Sequence, residues 1–226
     1  MNYEETADAL DEYVLKHIDP EPDVLHQVQR LTHIRLTYTR MCSGHLQGRM
    51  LKMLCSLTNA HRILELGTFS GYSAISMAEA LTPDPKDGTE CLHTIEIFDE
   101  LEDFIRENLD RAGDIGRKIE LHIGDALDLI PEVSREAKGK WDVCFIDADK
   151  RLYTEYYEAV LPHMRKGGLI MADNTLWDGK VLEEHPKESD LQTRALQKFN
   201  DLIAQDQRVE KVILPMRDGL TLVRVK

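Results

Sequence analysis

Much of what would fix the chemistry at once is missing from this sequence. There is no G-x-G-x-x-G turn, and no Gly-Lys-Ser/Thr of a Walker loop. Cys42, Cys55, Cys91 and Cys144 form no C-x-x-C pair, and the nine histidines form no H-E-x-x-H, so neither a disulfide framework nor a zinc site is expected. Two of the cysteines lie in apolar runs and read as buried, reduced thiols, which places the chain in the cytoplasm. No apolar run is long enough to span a bilayer. The opening Met1-Asn2-Tyr3-Glu4-Glu5 lacks the basic region and apolar core of a signal peptide. Positive charge is scarce: 28 Lys and Arg stand against 41 Asp and Glu, and the net charge of −13 argues against a general nucleic-acid binder. Internal repeats and low-complexity tracts are absent too.

What is present is an ordinary soluble composition, 42% hydrophobic and 31% charged, in a chain of 226 residues, the size of one domain. Two amphipathic helices are expected first. One covers residues 4–18 with Leu10, Tyr13, Val14 and Ile18 on a stripe, and ends at Pro20 and Pro22. The other covers 23–37 with Val24, Leu25, Val28, Leu31 and Ile34. They precede the sheet and serve as a lid, a subunit contact or both. After a break at 41–48 a helix runs to residue 57, with Ser43 placed to cap it and Asn59 to stop it. Strands then alternate with helices: strands at 63–66, 91–97, 119–123, 142–146 and 169–172, helices at 72–81, 99–112 (a capping box from Asp99 and Glu102, stopped by Gly113), 127–130 and around 153–161. A long loop over 173–188 leads to a helix at 190–204. Strands at 209–215 and 220–225 close the chain around Arg217-Asp218-Gly219. Five βα units and a hairpin make an α/β fold: a doubly wound, Rossmann-like, seven-stranded sheet with the last strand antiparallel and extra N-terminal helices. The expected division is a helical region at 1–58 and an α/β core at 59–226.

The centre of this arrangement is Glu65-Leu66-Gly67-Thr68-Phe69-Ser70-Gly71-Tyr72-Ser73, a strand end, a glycine turn and a helix start. Glycine lets a ligand approach the backbone, and the free N–H groups of the helix start can face it. Glu65 beside the loop would repel a pyrophosphate and suits a cationic ligand. S-adenosylmethionine, with a sulfonium, an ammonium and no phosphate, has that character; a glycine-containing βα turn of any α/β protein is the plain alternative. Glu96, ending the second strand, is placed to accept hydrogen bonds from ribose hydroxyls. Two further strand ends carry Asp147-Ala148-Asp149-Lys150 and Asp173-Asn174. If those strands are neighbours, Asp147, Asp173 and Asn174 converge as an all-oxygen donor set for a hard cation such as Mg2+ or Ca2+. Helix caps and turn formers would show the same residue types. A positive charge near Lys150 would lower its pKa and make it a base, whereas a simple ion pair with Asp147 or Asp149 would not.

These residues, together with Asp173-Asn174-Thr175-Leu176-Trp177 and Leu214-Pro215-Met216-Arg217-Asp218-Gly219, resemble in order the cation-dependent O-methyltransferases of the caffeoyl-CoA and catechol type, including their bacterial members. The resemblance runs from residue 41 to 226. It implies a class I S-adenosylmethionine-dependent methyltransferase fold, with the cofactor held by Ser43, Glu65, Gly67, Thr68, Ser73, Glu96, Ala126 and Asp149. It implies a divalent cation, Mg2+ first and Ca2+ or Mn2+ otherwise, on Asp147, Asp173 and Asn174. Lys150 is then the catalytic base, assisted by Asp147, and Trp177 and Asp178 border a small aromatic diol. A homodimer is implied as well. Asp178 stands where the plant enzymes usually have Asn, and Gln47 where they have Glu, so the differences fall on the acceptor side. A tRNA hydroxyuridine acceptor is the alternative within the class, weakened by the acidic balance and the thin spread of Lys138, Lys140, Lys166 and Lys180. A nicotinamide dehydrogenase is opposed by Glu65 and the missing glycine pattern. A non-catalytic binding module is opposed by the complete Asp147, Lys150, Asp173 and Asn174 set.

Overall fold

The computed structural model describes residues 3–226, with side chains from residue 9 onward; Met1 and Asn2, part of the stretch read as lacking a signal peptide, lie outside the described residues. Helices α1 (Tyr3–Lys16), α2 (Asp23–Arg35) and α3 (Gly44–Leu57) come first. Strands and helices then alternate: β1 (Arg62–Leu66), α4 (Tyr72–Ala78), β2 (Cys91–Glu96), α5 (Glu102–Arg111), β3 (Ile119–Ile123), α6 (Ala126–Glu136), β4 (Trp141–Ile146), α7 (Tyr153–Val160), β5 (Met164–Ala172) and α8 (Leu191–Gln205). The hairpin β6 (Val209–Leu214) and β7 (Leu220–Val225) follows. Among the described residues, no helix is long and apolar enough to cross a membrane.

The sheet has the order β3-β2-β1-β4-β5-β7-β6. The first five strands are parallel, and β7 is antiparallel to both β5 and β6. The chain starts at β1 and winds outward one way through β2 and β3, then the other way through β4 and β5. The order therefore reverses between β1 and β4, and a crevice opens beyond their carboxyl ends. The strands read as continuous apolar runs because helices cover both faces. Successive residues feed opposite layers: Ile63, Val143, Phe145 and Met171 pack with α2–α5, while Leu64, Cys144, Ile146 and Ile170 pack with α6–α8.

On the apolar stripe of α1, Leu10 and Tyr13 are 58% and 60% exposed, free to serve as the lid or subunit contact expected of this helix. Several local expectations are revised. Ser43 occupies the position before α3, but its side chain makes no capping bond. Asp99 and Glu102 do not form a capping box: a short 3-10 turn at Asp99–Leu101 precedes α5, whose cap residue is Leu101. Helix α6 runs far beyond residue 130, through Pro131. Its buried face of Ile130, Val133 and Ser134, with Ala137 behind, outweighs the one backbone bond that proline removes. Strand β5 starts earlier than expected, at Met164, with Gly167-Gly168 absorbed by a register shift against β4. All four cysteines are free, and Cys42, Cys55 and Cys144 are buried.

Candidate active site

The glycine loop is built by backbone contact with its neighbours. Gly67 N–H donates to the Ile95 carbonyl at 2.9 Å, and Asp147 N–H donates to the Leu66 carbonyl at 2.9 Å. Gly67 has φ +92°, and a Cβ there would lie 2.1 Å from the Asp147 carbonyl oxygen. The glycine is required by the close approach of the β4 loop, whatever else binds. Glu96, 5% exposed, turns back over the loop: its carboxylate accepts from Thr68 N–H at 3.1 Å, Phe69 N–H at 2.8 Å and Phe98 N–H at 3.0 Å. Phe69 sits at φ +52°, a left-handed conformation costly for an aromatic residue and fixed here by that bond. Glu96 is thus first a clamp on the loop, and its remaining lone pairs are what a hydroxyl would find. Asn108 Nδ2 donates to the Ser70 carbonyl at 3.0 Å, tying the far side of the loop to α5.

Beneath the loop lies Glu65, fully buried in β1. Thr68 Oγ1 and Thr94 Oγ1 are 2.5 Å apart, and Thr94 in turn donates to Glu65 Oε2 at 2.5 Å. Glu65 Oε1 has no hydrogen-bond partner. Burial pushes this carboxyl up to about 8. An orphaned, buried carboxyl oxygen next to a glycine loop suits a cationic group. Ser73 stands in the first turn of α4 and Ala126 in that of α6, both buried. The α6 start lies beside Glu96, whose carbonyl accepts from Gly124 N–H at 2.8 Å. Asp149 is engaged by Arg151, whose backbone and side chain both donate to it and hold its carboxyl below the usual range.

Strands β4 and β5 are neighbours, with Ile146 opposite Ala172, so Asp147 and Asp173 emerge side by side. Asp173 is 5% exposed; burial, then the Asp147 charge, raises its carboxyl above the ordinary carboxylate range. Asn174 follows at φ +56°. Lys150 Nζ lies 2.6 Å from Asp147 Oδ1. Burial works to discharge this lysine, but the Asp147 carboxylate and Tyr153 together outweigh it and hold the ammonium above its ordinary value. Lys150 and Asp147 thus form an ion pair at the mouth of the two strands. Tyr153 places its ring 5.3 Å from the ammonium and donates its hydroxyl to the Asp173 carbonyl at 3.0 Å, bridging the two strand ends.

The loop after β5 carries three successive left-handed residues, Trp177, Asp178 and Gly179. Trp177 Nε1 is buried without an acceptor, while Asp178 is exposed. The hairpin turn docks on this loop: Thr175 N–H donates to the Gly219 carbonyl at 3.1 Å and Leu176 N–H to the Asp218 carbonyl at 2.9 Å. One cluster arises where none was expected. His93, Glu120 and His122 meet on β2 and β3, away from the crevice. The ring nitrogens of the two histidines lie 2.9 Å apart, a hydrogen bond in which one ring donates and the other accepts.

The pattern of the O-methyltransferase family matches residues 16–226. The chain belongs to the O-methyltransferase family. It is 40% identical over 185 residues to a catechol O-methyltransferase of Niastella koreensis, covering 80% of each chain. It is 32% identical over 226 residues to the caffeoyl-CoA O-methyltransferase of Petroselinum crispum, covering 96% of this chain and 91% of the relative. The solved O-methyltransferase TomG of Streptomyces achromogenes, in complex with SAM, superposes with a TM-score of 0.87 at 30% identity over 100% of both chains. As an O-methyltransferase, the protein gathers Glu65, Gly67, Thr68, Ser73, Glu96 and Ala126 on one side of the crevice and Asp147, Lys150, Asp173 and Asn174 on the other. Sequence reasoning assigned no part to Tyr153 or Arg217. Tyr153 reads as one of several buried helix tyrosines, and Arg217 as a turn residue; only a register linking β4, β5 and the hairpin would have revealed them.

Proposed function

We propose that this O-methyltransferase takes its methyl group from S-adenosylmethionine, depends on a divalent cation, and acts on a vicinal dihydroxy aromatic or caffeoyl-type acceptor. The carrying observation is the pair of strand-end carboxylates, Asp147 and Asp173, packed beside one lysine and one amide a single loop away from the glycine turn. Two adjacent carboxylates, Asp173 buried and Asp147 half-buried, compensated by one ammonium favour a further positive charge, and the donors are all oxygen. The residues therefore fit a hard cation, Mg2+ before Ca2+ or Mn2+, on Asp147, Asp173 and Asn174. The orphaned Glu65 oxygen fits the cationic cofactor in the same way. The relatives' names, catechol and caffeoyl-CoA O-methyltransferase, share an acceptor with adjacent oxygens, and support that class.

In this reading Ser43, Glu65, Gly67, Thr68, Ser73, Glu96, Ala126 and Asp149 hold the cofactor, and Trp177 and Asp178 border the acceptor. The bound cation supplies Lewis acidity that lowers the pKa of an acceptor hydroxyl. Lys150 would take the hydroxyl proton at Nζ only as the neutral amine, after its ammonium has released a proton to solvent; a cation drawing on the Asp147 carboxylate would favour that release. Bound S-adenosylmethionine would supply an electrophilic methyl whose bond to sulfur breaks as the acceptor oxygen takes it, leaving the neutral thioether, and the chain's main contribution is alignment. Residues 1–58 act as a helical cap and dimer region on the α/β core of 59–226, in the cytoplasm.

The test is methyl transfer from labelled S-adenosylmethionine to caffeic acid or catechol, with and without Mg2+. Transfer should vanish with EDTA, return with Mg2+, and fall by at least ~100-fold in Asp147→Ala, which removes a cation ligand and the partner of Lys150 together. Undiminished turnover in EDTA would overturn the cation requirement.

A further inference from the structure

We propose that Gln47 and Arg217 form a strut that positions Asp173 for the cation, so that the hairpin turn at the far edge of the sheet sets the affinity of the site. The proposal rests on the cation reading above. Gln47, on α3, is 1% exposed. Its Nε2 donates to Asp173 Oδ2 at 2.8 Å, and its Oε1 accepts from Arg217 Nη1 at 2.5 Å. Arg217 has only donors and stays charged. It therefore fixes which end of the carboxamide faces which partner: the oxygen must turn to the guanidinium, and the nitrogen is left for Asp173. A flipped amide would set N–H against guanidinium and oxygen against carboxylate, losing both bonds.

Both ends of the strut are anchored. Arg217 also donates to the Cys42 and Ser43 carbonyls just before α3, and holds a left-handed backbone at φ +50° to do so. The same turn supplies the Gly219 and Asp218 carbonyls that accept from Thr175 and Leu176. Asp173 and Asn174 are thus bracketed, by the strut on the side-chain side and by the turn on the backbone side. One oxygen of Asp173 is committed to Gln47, which sets the orientation of the carboxylate whose other lone pairs the cation would use. A neutral amide suits this place because it accepts from a cation and donates to an anion at once. Gln47 reaches the cation site through Asp173, and Arg217 through Gln47, so they are positioning residues; such outer partners typically govern ligand-site affinity by 10- to 100-fold.

The experiment is Mn2+ titration by calorimetry of the whole protein, without cofactor or acceptor, for the native chain, Gln47→Leu, Arg217→Met and the double variant, with Asp147→Ala as the control. The expected result is Mn2+ binding that is weakened about 10-fold or more in each single variant, and no further in the double variant, because both break one link. Arg217→Met alters an exposed turn and carries the test if the buried Gln47→Leu chain does not fold. Melting temperatures of the cation-free proteins separate a general loss of structure from a loss at the site. Mn2+ affinities within twofold of the native chain in both variants would overturn the strut. A native chain that responds to Mn2+ no more than Asp147→Ala would overturn the cation reading itself, and the strut's function with it.

Discussion

At Gly67 and Glu65, side-chain chemistry and backbone geometry can be separated residue by residue. A Cβ at Gly67 would strike the Asp147 carbonyl, a backbone atom that cannot swing away, and φ +92° is itself unfavourable for any other residue. Gly67→Ala should therefore lower stability by about 2 kcal/mol or more in denaturant unfolding, with or without ligands. Glu65 makes a different prediction. Its folded carboxyl, near 8, is largely protonated at pH 7, whereas an exposed one is not. A cationic ligand favours the ionised form, so binding of S-adenosylmethionine at pH 7 should release a proton from this group. Calorimetry in buffers of different ionisation enthalpy should show that release in the native chain and lose it in Glu65→Gln; equal slopes for both would exclude the assignment. The acid before the glycine turn was legible in the sequence. The clash that makes Gly67 necessary was not, because it depends on a carbonyl eighty residues away.

Elements that obey one local rule were read well, and those decided by packing were not. The parallel strands announced themselves as short apolar runs ending in Glu65, Glu96, Asp147 and Asp173, and so their carboxyl ends, which carry the site, were legible too. Helix α6 was cut short at Pro131 because propensity argues for a break, while the buried face of Ile130 and Val133 decides otherwise. The Ser43 and Asp99 caps failed because turns of different geometry precede α3 and α5. The stripe on α1 was visible, but the sequence does not say what covers it, and within one chain Leu10 and Tyr13 stay exposed. The docking of the hairpin on the loop after β5 had no signal at all beyond an Arg-Asp-Gly turn. It yields a prediction at this scale: a Cβ at Gly219, where φ is +88°, would lie 2.5 Å from Leu176 Cγ and 2.8 Å from its backbone nitrogen. Gly219→Ala should push the Trp177 loop outward, raising the KM for the acceptor several-fold while leaving cofactor affinity within twofold. A cofactor affinity that falls in step with the acceptor KM would show a general collapse instead.

For the molecule as a whole, the response to acid has an identifiable contribution on the side away from the crevice. Burial lowers the pKa of His93 below its ordinary 6.5. As pH falls below that value the unfolded chain takes up a proton that the folded chain resists, so stability is lost through this window and levels off below the folded pKa. The stability difference between the native chain and His93→Gln should therefore shift against the native chain between pH 7.5 and pH 5.5, as read from denaturant midpoints. A difference independent of pH would mean that the His93–His122 pair takes its proton as readily when folded.

The contact between Gly67 and Asp147 has a consequence for how donor and acceptor are brought to bear on each other. The glycine loop belongs to β1, the carboxylates to β4 and β5, and these are adjacent strands, each about 4.8 Å from the next. The separation of the two half-sites is thus a lattice constant of the sheet, ruled by main-chain hydrogen bonds. It is indifferent to the outer surface: loops such as 82–90 can lengthen or change without altering the span across which the methyl group must travel.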